Sequence, residues 1–126
     1  MNADLKRRLT PFKRLTKHER AFLDALEDRF INETASVVKY VSVSYEPIES
    51  KDDDTAYVDL EDDCFELVLD DRLSFGTVCD YLIHEFAHIG TWFVNEKEHG
   101  PHFGVEWARL YCIYLNMYDK HFWPKG

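Results

Sequence analysis

Cysteine is scarce in this 126-residue chain, and the three that occur, Cys64, Cys79 and Cys112, stand far apart. None has the close spacing of a zinc ribbon, and the odd, unpatterned count gives no disulfide framework. This usage fits a reducing compartment, with Cys79 and Cys112 expected as small apolar side chains on core helices. With only five glycines and four prolines, no linker composition divides the chain, so one domain over residues 1–126 is expected. No apolar run approaches the ~20 residues of a membrane span. The start Met1-Asn2-Ala3-Asp4 is too polar for a secretory leader. A cytoplasmic protein with no membrane partner is therefore expected.

Positive charge is also sparse beyond the first twenty residues. Residues 1–20 hold seven Lys/Arg against two acids, whereas the remainder holds eight against twenty-two, for a net charge of −9. Within residues 46–71 there are twelve acids and the single Lys51. Most of such a surface repels phosphate. Any contact with nucleic acid falls to the basic segment 1–16 and its neighbour Lys17, with Lys6, Arg7, Arg8, Lys13 and Arg14. This stretch otherwise reads as a solvated end or as docked on the protein's own acidic surface. The aspartates of the loop 49–55 lack the ligand periodicity and glycine of an EF-hand, so a solvated acidic loop is expected there, not a calcium site.

What is present is specific. His84-Glu85-Phe86-Ala87-His88 places two histidines four residues apart. On a helix that spacing puts both imidazoles on one face, where each reaches one zinc ion at about 2.0–2.1 Å. Glu85 beside them has the chemistry of a general base acting on a metal-activated water. Leu82, Phe86, Ile89 and Phe93 recur at four, three and four, a core-facing stripe distinct from the histidine face. Ser74 or Thr77 offers a cap at the start of this helix, and Gly90 is either an interior glycine or the beginning of its end. Tyr81, about a turn before His84, either approaches the metal face or packs in the core, and Asp80 either orients a ligand histidine or, as expected of a helix-surface carboxylate, stays exposed.

A catalytic zinc site takes three protein ligands and keeps a fourth position open. The longer pattern with glycine and a third histidine soon after the second is excluded by Thr91 and Val94. Eleven residues after His88 comes His99-Gly100-Pro101-His102-Phe103, a turn opening a helix with Pro101 suited to its first position. His99 and His102 are both candidates for the third ligand.

HExxH followed at this distance by HGPxF resembles the SprT-like zinc metallopeptidases, in motif over residues 84–103 and in organisation over about 56–118. The resemblance implies a zincin-like core in which His84, His88 and His99 bind one zinc ion and Glu85 is the general base for peptide-bond hydrolysis. It leaves His102 as a neighbour of the site and implies a protein or peptide substrate. A strand beside the cleft would then be available to pair with that substrate. The family's cysteine-built zinc ribbon has no counterpart in Cys64, Cys79 and Cys112, so its DNA binding is not carried over and a bare catalytic core is expected.

The remaining pattern gives an α+β fold, a small mostly antiparallel sheet packed with about three main helices. Thr16-Lys17-His18-Glu19 is a capping box opening a helix to about Ile31 with Phe22, Leu26 and Phe30 as its seam. Residues 37–45 read as a strand closed by Pro47, and residues 56–60 and 64–69 as a hairpin around Glu61-Asp62-Asp63. The last helix, residues 101–118, is apolar on two sides: Phe103, Trp107, Tyr111 and Tyr114 on one, Val105, Ala108, Cys112 and Leu115 on the other. It is expected to pack between other elements. A second functional reading keeps the zinc without turnover, as a binding or inhibitor protein acting through its cleft or as a DNA mimic through its acidic surface. A purely structural site has no need of Glu85.

Overall fold

A computed structural model of the chain describes residues 15–35, 37, 40–48, 56–94 and 99–124. Nearly all of the basic segment 1–16 and the whole of the loop 49–55 lie outside them, as do residues 38, 39 and 95–98. Helix α1 (Lys17–Glu33) begins with the expected capping box. The Thr16 hydroxyl accepts from the Glu19 amide at 3.0 Å and the Glu19 carboxylate accepts from the Thr16 amide at 3.0 Å, which satisfies two donors that a helix start leaves open. Phe22, Leu26 and Phe30 are fully buried along one face.

Strands β1 (Tyr40–Glu46), β2 (Ala56–Glu61) and β3 (Cys64–Asp70) form one sheet in the order β1-β3-β2. The β2–β3 hairpin turns on Asp62 and Asp63, both left-handed at φ 49° and 64°. Two positive φ values in a two-residue turn match the twist of the flanking strands, and aspartate tolerates that conformation better than most residues. β1 lies parallel to β3, with Tyr40 opposite Cys64 and Glu46 opposite Asp70. The sheet is therefore mixed, one antiparallel pair and one parallel pair, rather than mostly antiparallel. The burial pattern gives the reason. β3 buries Phe65, Leu67, Val68 and Leu69, whereas β2 alternates between half-buried and exposed. The most apolar strand takes the centre; β1 ends at Glu46 opposite Asp70, at the same end of the sheet where β2 starts at Ala56 opposite Leu69, so β1 runs opposite to β2 and parallel to β3.

One face of the sheet carries Val43, Tyr45, Phe65, Leu67 and Leu69 into a single core with α1 and helix α2 (Phe75–Gly90). Ser74 caps α2, its hydroxyl accepting from the Thr77 amide at 3.4 Å. Val78, Leu82, Phe86 and Ile89 are completely buried. The helix stops at Gly90, so Phe93 does not continue the stripe; it lies past the helix end and is 67% exposed.

Helix α3 (Pro101–Phe122) has Gly100 as its cap position and Pro101 in its first turn, and runs four residues beyond the expected end. Phe103, Tyr111, Tyr114, Tyr118 and Phe122 pack against the core and Leu110 is fully buried. The second apolar side is not covered by any described element. Val105 is 72% and Leu115 46% exposed, and Ala108 and Cys112 are exposed with them. Both α1 and α2 meet α3, and they do so on its aromatic side, so Cys112 faces out instead of lying in the core. Beyond α3, Trp123 is 70% exposed. No helix described here is long and apolar enough to cross a membrane.

Candidate metal centre

The three histidines singled out by the two motifs meet. His84 and His88, one turn apart on α2, place their Nε2 atoms 3.2 Å from each other. The Nε2 of His99, on the turn leading into α3, lies 3.1 Å from that of His88. A ligand atom from each of the three lies within 4.8 Å of the others. Two nitrogens at 2.0–2.1 Å from a tetrahedral zinc would stand ~3.3 Å apart, so these separations suit one ion. The donor set suits it as well, because neutral imidazoles in a group of three are an established zinc ligand set with a fourth position to spare.

His99 reaches the group by adopting a left-handed backbone, φ 61°, which costs an L-residue about 1–2 kcal/mol. Histidine is among the residues found there more often than average, and such conformations concentrate at functional sites. Gly100 and Pro101 follow, so the chain turns sharply at His99 and enters α3 at once.

Phe103, in the first turn of α3, is a neighbour of the site that ligand spacing alone does not single out. Its ring lies 5.3, 4.7 and 4.7 Å from those of His84, His88 and His99, edge-on to two and tilted to the third. Helical periodicity puts it on the packed side of α3, and its place as the last residue of HGPHF is the sequence signal for a site role. An apolar ring against three imidazoles restricts their rotation and excludes water from one side of the group. Glu85 is 6% exposed and adjoins His84 on the same helix. His84 and His88 are half-buried and His99 is exposed, so the centre opens to solvent on the His99 side.

His102 does not join the three. It lies exposed at the start of α3, lining a shallow depression with Gly90, Thr91, Val94 and Glu106. Asp80 and Tyr81 line an open groove of about 650 Å³ together with Thr77, His84, Trp107 and Tyr111. Asp80 makes no hydrogen bond to a ligand histidine. His18 and His121, which show no ligand spacing, form a structural pair. Their rings stack at 4.0 Å, and each Nε2–H donates to the other's backbone carbonyl, at 3.0 and 2.9 Å. No family model, no curated protein and no solved structure matches this chain.

Proposed function

We propose that this chain is a zinc-dependent metallopeptidase of the SprT-like kind, with His84, His88 and His99 as ligands and Glu85 as general base. The observation that carries the reading is the convergence of three histidine Nε2 atoms, with Glu85 following the first of them on the same helix. A hydrogen bond needs two nitrogens and one proton; a third nitrogen drawn to the same point, at the expense of a left-handed backbone, is what a shared cation calls for.

His84, His88 and His99 would hold a zinc ion, which would supply the Lewis acidity that makes a water nucleophilic near neutral pH and polarises a substrate carbonyl. Glu85 removes the proton from the attacking water and returns it to the leaving amine, which needs a carboxylate fixed within hydrogen-bond reach of both. Its shielded position on a packed helix holds it in place between the two transfers. Phe103 keeps the imidazoles aligned, and the open His99 side admits an extended peptide. β1 and β2 are the two edges of the sheet, so strand addition would give such a peptide main-chain hydrogen bonds with little sequence selectivity.

The test is proteolysis of an unfolded protein by the zinc-loaded chain beside Glu85→Gln. The reading expects cleavage by the wild type, and a loss of about a hundredfold or more in the variant with zinc retained. Zinc retained by both with no cleavage by either gives the binding-protein reading instead.

A further inference from the structure

The groove beside His84 has a chemistry of its own. On its α3 wall Trp107 stacks on Tyr111, the rings 11° apart with centroids at 5.0 Å, so the aromatic face the pair can offer a ligand is the side of Trp107 turned away from Tyr111. On its α2 wall stand Thr77, Asp80 and Tyr81. Asp80 precedes His84 by one helical turn, about 6 Å along the axis. It is exposed and takes part in no hydrogen bond or ion pair among the described residues. Among the described lining residues it is the one carboxylate, and none of the others is a lysine or arginine.

We infer that this groove receives a lysine or arginine side chain of the substrate peptide, from a residue close to the bond being cleaved; this rests on the peptidase reading above. An aromatic face attracts a cation through its quadrupole, most strongly when the ring is tryptophan. The stem of three or four methylenes lies along the apolar wall while the charged head reaches the carboxylate of Asp80. An acidic side chain meets Asp80 with like charge. An uncharged one gains the wall without the ion pair. A nucleobase stacks on the same rings, but its phosphate meets Asp80 in a chain of net charge −9. His84 itself lines the groove, which makes the groove neighbour to the metal centre, so a side chain seated here leaves its own peptide bond beside that centre.

The experiment uses the zinc-loaded full chain carrying Glu85→Gln, which binds without turning over. Fluorescence anisotropy compares labelled unstructured peptides that differ at one central residue: arginine, norleucine or glutamate. The arginine peptide is expected to bind about fivefold to tenfold tighter than the norleucine peptide, with glutamate weakest. Adding Asp80→Asn should erase the difference between arginine and norleucine. Asp119→Asn, the same charge removed far along α3, should keep it. Equal affinity for arginine and norleucine, a preference that survives Asp80→Asn, or no binding of any peptide overturns the inference. The wild type is then assayed for cleavage of the same peptides. Cleavage without preference sinks the groove assignment alone, and preference in binding without cleavage sinks the peptidase reading alone.

Discussion

Gly90 at the end of α2 lies directly against Glu106 of α3: a Cβ at Gly90 would sit 2.5 Å from the Glu106 Oε2 and 3.0 Å from its Cδ. Glu106 cannot simply swing away, because Arg109 holds both of its carboxylate oxygens, at 2.9 and 2.8 Å, and also pairs with Glu33 of α1. The close approach of α2 and α3, on which the meeting of His88 and His99 depends, is thus tied to the third helix by ions. Gly90→Ala should destabilise the fold by about 1–2 kcal/mol through overpacking. In a Glu106→Ala background the same change should instead stabilise slightly, by about 0.5 kcal/mol, since alanine is the better helix residue. Urea unfolding of the four proteins reads the reversal of sign.

The buried Glu27 of α1 accepts a hydrogen bond from the hydroxyl of Tyr45 on β1; both side chains are almost wholly out of water. Tyr45→Phe keeps the ring and removes the donor from a buried carboxylate. The expected loss is about 1–3 kcal/mol, read as a lower urea midpoint with unchanged slope.

The hydrogen bonds from Arg72 to Asp70, at 2.9 and 2.6 Å, hold that carboxyl well below the usual carboxylate range; the Arg72 and Ile48 amides assist. The sign follows from linkage. A carboxyl whose pKa is depressed by folding adds stability above its unfolded pKa of ~3.9, and that stability is lost as pH falls toward the folded value. Asp70→Asn should therefore be less stable than wild type at neutral pH, and the gap should narrow steadily below pH ~4. A gap independent of pH would contradict the assignment. Arg72 is largely exposed, so high salt should shrink the neutral-pH gap as well.

The three thiols should separate by reactivity. Cys79 is fully buried, and burial pushes its thiol up to about 12. Cys112 is exposed on α3 and Cys64 half-buried on β3. An aromatic disulfide reagent on the native protein should modify Cys112 fastest and leave Cys79 untouched until the chain unfolds. Peptide mapping of the labelled protein checks the order.

Local patterns were legible in the sequence because their geometry is local. The Thr16–Glu19 box, the hairpin around Asp62 and Asp63, and the face shared by His84 and His88 each follow from dihedral angles within a few residues. His99 was legible only through its motif, since nothing in its neighbourhood says how far α3 folds back over α2. The parallel pairing of β1 with β3 was not legible, as it depends on which arm of the hairpin is the more deeply buried. The outward face of α3 misled for a related reason: an apolar stripe such as Val105, Ala108, Cys112 and Leu115 reports a preference for burial, not the presence of something to cover it. The clasp between His18 and His121 spans 103 residues and uses backbone carbonyls, so no side-chain pattern announces it.

Metal stoichiometry decides whether His84, His88 and His99 form one site. The metal-free chain is titrated with cobalt(II), whose visible absorption reports tetrahedral nitrogen ligands, and zinc is then added in competition. Three histidine ligands at one point should give one site per chain, displacement of cobalt by zinc, retention of the site in Glu85→Gln and His102→Ala, and affinity lowered by at least about a hundredfold in His99→Ala. No tetrahedral spectrum, or a site that His99→Ala leaves unweakened, would contradict it.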